Sequence, residues 1–83
     1  MAVRSYVLIE ATVGKARSIG EALLKLNHPN AQVLSVDTVT GPYDLIVQLE
    51  TDDLDKLGIF ITEEIQRIEG VQRTTTCLSV RLS

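Results

Sequence analysis

Two short stretches of the 83-residue chain concentrate the polar groups that could hold a small ligand. One is Gly41-Pro42-Tyr43-Asp44 and the other is Thr74-Thr75-Thr76. Amides exposed at a glycine corner suit a carboxylate, whereas Asp44 and threonine hydroxyls suit an ammonium or a polar side chain. Together these groups match a zwitterion. A purely structural role is also open, since aspartate closes turns through local backbone bonds and threonine is a good strand former. Composition alone favours that structural role.

The chain has few of the residues that catalysis or metal binding requires. His28 is the only histidine and Cys77 the only cysteine, which excludes an intramolecular disulfide and a cysteine-based zinc site. We expect a solvated loop histidine and a buried or interface thiol. Asp52, Asp53 and Asp55 could attract a divalent ion, but a solvated helix N-terminus explains them better. The prediction is therefore a protein that is not an enzyme and has no cofactor or metal.

Charge and length restrict the classes of partner. The formal net charge is −3 and no basic stripe is present, so direct binding to nucleic acid is not expected. The sequence shows neither a signal-peptide pattern nor an apolar run of membrane-spanning length, which predicts a cytoplasmic location. The length predicts one domain over residues 1–83, with an aliphatic core of a size that oligomerisation often supplements.

Hydrophobic periodicity predicts the element order β-α-β-β-α-β. The predicted strands are Val3–Ala11, Ala31–Thr40, Tyr43–Glu50 and Val71–Leu82, and the predicted helices run from Lys15 to Leu26 and from Thr51-Asp52-Asp53 to about Glu69. Two β-α-β halves interleaved around a central hairpin predict an α+β fold, the ferredoxin-like βαββαβ sandwich. In this fold a four-stranded antiparallel sheet carries both helices on one face.

Three local expectations accompany this fold. Gly20 lies inside the first helix and marks close packing on the sheet. Gly70 supplies the left-handed residue that ends the second helix. That helix should bury one apolar stripe, formed by Leu54, Leu57, Ile61, Ile65 and Ile68.

The second face of the sheet has no helix left to cover it. By the alternation of the strands this face carries Tyr6, Leu8, Ile46 and Cys77. Apolar patches of this kind usually mark an interface. A sheet-to-sheet dimer is the simplest arrangement that covers them.

Three segments resemble the effector-binding domain of the leucine-responsive/asparagine regulator (Lrp/AsnC) family, also called the RAM domain. The first is Tyr6-Val7-Leu8-Ile9 followed by Val13-Gly14-Lys15. The second is Val39-Thr40-Gly41-Pro42-Tyr43-Asp44-Leu45, similar to the family's Gly-x-Tyr-Asp hairpin. The third is Ile68-Glu69-Gly70-Val71-Gln72-Arg73-Thr74-Thr75-Thr76, similar to its Gly-Val-x-x-Thr-x-Thr segment. The resemblance covers essentially the whole chain.

The resemblance implies an assembly and a ligand. Members of the family form dimers through the sheet face, and the dimers form rings that are commonly octamers or decamers. Small effectors, usually amino acids, bind between dimers near the hairpin. Carried over by motif, Gly41, Tyr43 and Asp44 would build the pocket, and Thr74 and Thr76 would offer hydroxyls from a neighbouring strand.

One departure from the family concerns DNA. Full-length regulators carry an N-terminal helix-turn-helix, whereas this chain starts at the first strand of the effector domain, so we expect a stand-alone form. The leading hypothesis is a non-enzymatic amino-acid-sensing module in an oligomer, which could co-assemble with full-length regulators. The alternative is a structural or adaptor oligomer that modulates such regulators or other proteins and takes no free ligand. A small barrel enzyme is disfavoured because the acid–base residues it needs are missing.

Overall fold

Strands and helices alternate in the order that the sequence predicts. The structure is a computed structural model, and it describes residues 2–29 and 31–80. The strands are β1 (Val3–Ala11), β2 (Ala31–Thr38), β3 (Leu45–Thr51) and β4 (Val71–Leu78), and the helices are α1 (Ala16–Leu24) and α2 (Leu54–Phe60), the latter continued by a π-helical turn, Ile61–Ile65. The α+β fold with the order βαββαβ is confirmed.

The sheet is fully antiparallel and β1 runs through its middle. The strand order is β2-β3-β1-β4, so that β1 pairs with β3 on one side and with β4 on the other. Val7 marks the register, since it lies opposite Val47 of β3 and Thr76 of β4. The register of β1 against β4 shifts between Glu10 and Ala11. This irregularity bends the end of β1 where the ligand-binding motifs were predicted.

The core lies between one face of the sheet and the two helices. Alternate residues of β1 and β3 are fully buried there against α1, α2 and the π-helical turn, which is the pattern expected of a half-covered sheet. The fully buried apolar side chains are Val7, Ile9, Ile19, Leu23, Leu45, Val47, Leu49, Phe60 and Ile65. Gly20 is also buried, and a Cβ there would lie 3.5 Å from Leu45 Cδ2. Its predicted position against the sheet is confirmed.

The predicted apolar stripe of the second helix is wrong at its first position. The side chain of Leu54 is 57% exposed, and Phe60, which is absent from the predicted stripe, is fully buried. Both residues precede the π-helical turn, in which the N–H of Gln66 donates to the carbonyl of Ile61, five residues earlier, at 2.8 Å. Phe60 follows the buried Leu57 by three residues and so shares its α-helical face, whereas Leu54 lies in the exposed first turn after Asp53.

Both predicted ends of this helix are present in the structure. Asp53 caps the helix, since its carboxylate accepts a hydrogen bond from the backbone N–H of Lys56 at 2.8 Å. The Nζ of Lys56 lies 3.0 Å from the Asp52 carboxylate, and this hydrogen bond raises the pKa of Lys56. Gly70 has φ +98° after the last turn, as the left-handed ending requires.

Several helices and strands are shorter than predicted. α1 begins at Ala16 rather than Lys15 and ends at Leu24 rather than Leu26. β2 ends at Thr38 rather than Thr40. β4 ends at Leu78 rather than Leu82, and residues 81–83 lie outside the described part of the chain. No helix in the described ranges has the length and apolar character needed to cross a membrane.

Candidate functional site

The predicted hairpin connects β2 to β3 through a wide turn held by two backbone bonds. The N–H of Val39 donates to the carbonyl of Asp44 at 2.9 Å, and the N–H of Asp44 donates to the carbonyl of Ile9 in β1 at 2.8 Å. Gly41 lies at the corner with φ +125°, and a Cβ there would meet nothing within 4 Å. Glycine is therefore used at this corner for its backbone conformation, while the space around it stays open.

The Asp44 side chain joins this hairpin to the end of β1. Its Oδ2 accepts a hydrogen bond from the backbone N–H of Ala11 at 2.7 Å. Ala11 is the residue at which the register of β1 against β4 shifts, so the carboxylate satisfies an amide at an irregular point of the sheet. The bond is to a distant strand, which corrects the expectation that the Asp44 side chain closes its own turn. A carboxylate has about four lone-pair positions, so Asp44 retains capacity to accept from a ligand.

Thr74, on the other side of β1, has a defined hydrogen-bond partner. It lies opposite Ile9 in the β1–β4 ladder, and its side chain is half-buried. The Nε2 of Gln66, just after the π-helical turn, donates to Thr74 Oγ1 at 3.0 Å. The hydroxyl oxygen is thus used as an acceptor, and its own proton can be donated elsewhere.

The other predicted site residues lie at or near the same end of the sheet. Tyr43 is half-buried in the hairpin. Thr76 is exposed on β4 opposite Val7, two residues further from the hairpin than Thr74. The structure brings Asp44 and Thr74 to the same level of β1, because both are aligned on Ile9. With adjacent strands about 4.8 Å apart, their backbones are separated by roughly 10 Å.

A cleft at the opposite end of the sheet contains none of the five predicted site residues. It has a volume of about 440 Å³ and is lined by the loop after α1 and by the ends of β2 and β3. His28 forms part of its wall, packs edge-on against Phe60 at 5.5 Å between ring centroids, and places Nε2 3.7 Å from the Glu64 carboxylate. The expectation that His28 is a solvated loop residue is wrong, because these two neighbours cover it.

Cys77 lies on the sheet face without helices and is exposed. Tyr6 is its ladder partner and is 41% exposed, and Leu8 is the ladder partner of Ile46. The prediction that these four residues share the open face is confirmed by the register. In the described ranges, no group of three or more histidine, cysteine or acidic residues is placed to hold a metal ion.

The comparison with protein-family models identifies the domain. The model described as the Lrp/AsnC ligand binding domain matches residues 5–82. The chain belongs to the Lrp/AsnC family. The matched residues include the Gly-x-Tyr-Asp hairpin and the Thr-x-Thr strand. Both therefore lie in the ligand-binding domain of this family, as the sequence resemblance predicts.

Individual relatives agree with this assignment. An HTH-type transcriptional regulator of Pyrococcus abyssi, named as uncharacterized, is 35% identical over 74 residues, covering 89% of this chain and 44% of that protein. The chain thus spans less than half the length of that relative. The crystal structure of TTHA0845 from Thermus thermophilus has a TM-score of 0.84 at 36% identity, covering 98% of this chain and 96% of that one.

A more distant structure shows the same fold. The transcriptional regulator NMB0573 from Neisseria meningitidis, solved as a complex with L-Met, has a TM-score of 0.81 at 20% identity. The match covers 95% of this Lrp/AsnC chain and 50% of that one.

The sequence did not indicate two contacts of the site. Ala11 holds Asp44 through a backbone N–H, and every non-proline residue carries such a group. Gln66 reaches Thr74 through the π-helical turn, a winding that no residue pattern in this segment predicted. Both contacts depend on tertiary register rather than on residue type.

Proposed function

We propose that this chain is a single ligand-binding domain that senses an amino acid, acts without catalysis and assembles with further copies of itself. The observation that carries the proposal is the Asp44 carboxylate, half-buried at the hairpin end of a sheet that belongs to the Lrp/AsnC ligand-binding domain. The complex of a protein of the same fold with L-Met supports amino acids as the ligands to test first.

The proposed roles follow from hydrogen-bonding capacity. Asp44 accepts from the ligand ammonium, since its bond to Ala11 leaves lone pairs available. Amides at the Gly41 corner and the hydroxyls of Thr74 and Thr76 donate to acceptors on the ligand. Tyr43 forms part of the pocket wall.

The spacing of these groups supports a site shared between copies. The ammonium and the carboxylate of one α-amino acid are far closer together than Asp44 and Thr74, which stand about two strand spacings apart in one chain. A second copy that presents its own strand end can bring complementary groups to a single ligand. Assembly into dimers and then into an octameric or decameric ring is the arrangement proposed for this purpose. The same contacts would also allow co-assembly with full-length Lrp/AsnC regulators.

The first experiment is a thermal-shift panel of the twenty amino acids with light scattering on each hit. A ligand that binds the native state raises the melting temperature by mass action. We expect a selective shift for one amino acid or a related group of them. If the panel is flat while the oligomer stays intact, the alternative of an adaptor oligomer without a free ligand replaces the sensor.

Two substitutions separate binding from folding at Asp44. Asp44→Asn keeps an acceptor for the Ala11 N–H but removes the charge, so we expect a nearly unchanged melting temperature and a loss of the ligand-induced shift. Asp44→Ala also leaves the Ala11 N–H without this acceptor and should lower the free energy of unfolding by about 1–3 kcal/mol. Calorimetry that shows wild-type affinity in Asp44→Asn would reject Asp44 as the ammonium partner.

A further inference from the structure

A side-chain hydrogen bond between Gln66, which follows the π-helical turn, and Thr74 of the edge strand β4 determines how the Thr74 hydroxyl can bind a ligand. Gln66 Nε2 lies 3.0 Å from Thr74 Oγ1, and Gln66 is exposed whereas Thr74 is half-buried. An amide nitrogen is only a donor, so the hydroxyl oxygen accepts. Because a hydroxyl has a single proton, that proton then points to another acceptor.

The π-helical turn is what brings Gln66 to the strand. The backbone N–H of Gln66 donates to Ile61 over five residues instead of four, at 2.8 Å. One residue of an α-helix corresponds to a rotation of about 100°, so an α-helical path without the extra residue would turn the Gln66 side chain away from Thr74. The Gln66–Thr74 hydrogen bond therefore depends on the π-helical winding.

We infer that Gln66 is a positioning residue that, by donating to Thr74 Oγ1, orients the Thr74 hydroxyl proton toward the ligand, and that the site thereby selects ligands carrying a carboxylate. The inference rests on the proposed amino-acid-binding function and deepens it. Asp44 of one copy can accept from the ligand and Thr74 of a second copy can donate to it, since within one chain the two residues stand too far apart to reach a single amino acid. A pair of opposite polarity distinguishes an amino acid from the amine that lacks its carboxylate, because the amine leaves the donor without an acceptor.

The first arm of the test uses the free protein. Proton–nitrogen spectra should show that the side-chain amide protons of Gln66 exchange slowly with water. Thr74→Val should abolish that protection, because it removes the acceptor oxygen. Gln32 is the matched control, since it is an exposed glutamine of β2 at the opposite end of the sheet, and its signal should not change. A Gln66 signal that ignores Thr74→Val overturns the inference whether or not a ligand is known.

The second arm compares one amino acid with its decarboxylated amine. The probe is the amino acid with the largest thermal shift, measured by calorimetry beside the amine with the same side chain. We expect Gln66→Met to weaken binding of the amino acid about tenfold and to leave binding of the amine unchanged. Gln32→Met should change neither affinity.

The third arm asks whether Gln66 acts through Thr74. In a Thr74→Val background, Gln66→Met should cause no further loss of affinity, since the group it positions is gone. Equal losses for amino acid and amine, or additive losses in the double variant, contradict the inference while leaving the sensor intact. If the wild-type protein binds no amino acid, the proposed function fails, and the carboxylate selection fails with it even where the first arm succeeds.

Discussion

Two buried hydroxyls, those of Ser5 and Thr51, show how the contribution of a polar side chain to stability depends on whether it has a hydrogen-bond partner. Ser5 is fully buried on β1, and its Oγ has no hydrogen-bond partner among the residues that the structure describes. Thr51 is 3% exposed at the end of β3, and its Oγ1 donates to the Asp53 carbonyl at 3.2 Å. Burying a hydroxyl without a partner costs free energy, whereas a satisfied hydroxyl contributes to stability.

Deleting the two hydroxyls should therefore change stability in opposite directions. Ser5→Ala should raise the free energy of unfolding by about 1 kcal/mol, because it removes an unsatisfied group at little loss of volume. Thr51→Val should lower it by about 0.5–1.5 kcal/mol, because it removes a hydrogen bond beside the α2 cap and keeps the side-chain shape. Urea denaturation of both variants at one protein concentration checks this, and a loss of stability in Ser5→Ala would mean that the hydroxyl is satisfied.

At the scale of elements, the strands were predicted closely and the second helix was not. Alternation fixes the face of every strand residue, so β1 was predicted to the residue and the open face was predicted correctly. Helical periodicity assumes constant winding, and the π-helical turn Ile61–Ile65 violates that assumption. Phe60 precedes this turn and was missed in the core although it follows Leu57 at α-helical spacing. In the candidate site, turn chemistry singled out Asp44, but its bond to Ala11 depends on long-range strand register that local patterns do not contain.

Two glycines near the second helix should respond to alanine in opposite ways. Gly58 lies in α2, and a Cβ added there would meet nothing within 4 Å, so Gly58→Ala should stabilise the protein by about 0.5–1 kcal/mol. Gly70 has φ +98°, and a Cβ there would lie 2.6 Å from Lys15 Cβ. Gly70→Ala should destabilise by more than about 1 kcal/mol, since it combines backbone strain with a clash.

Thermal melts of the two glycine variants test this contrast. Gly70→Ala should melt several degrees below the wild type, and Gly58→Ala should melt above it. If Gly70→Ala retains wild-type stability, the turn before α1 and the end of the second helix do not pack as closely as the structure shows.

At the scale of the whole molecule, one sheet face carries the helices and the other is apolar at its centre and charged at its ends. Leu8 and Ile46 face each other across β1 and β3, and the Gln48 amide donates to the Tyr6 hydroxyl at 3.3 Å beside them. An Arg4–Glu50 ion pair at 3.2 Å marks one end of the face. An apolar centre with polar ends is the usual composition of an interface between copies.

Charging the centre of this face should separate the copies and leave each one folded. Leu8→Lys places an ammonium opposite Ile46, where a second sheet would have to bury it, so we expect sedimentation to show species smaller than the wild-type oligomer. Leu8 lies outside the core between the sheet and the helices, and circular dichroism should therefore remain close to that of the wild type.

The matched control for Leu8→Lys is Val13→Lys. The Val13 side chain is 98% exposed at the turn after β1, away from the open face, so the variant adds the same charge at a site already in water. Because the proposed ring joins dimers near the hairpin end of the sheet, Val13→Lys should leave the dimer intact even if it weakens the ring. A Leu8→Lys protein that sediments like the wild type would place the dimer contact on another surface, and the proposed assembly would then have to be rebuilt from that surface.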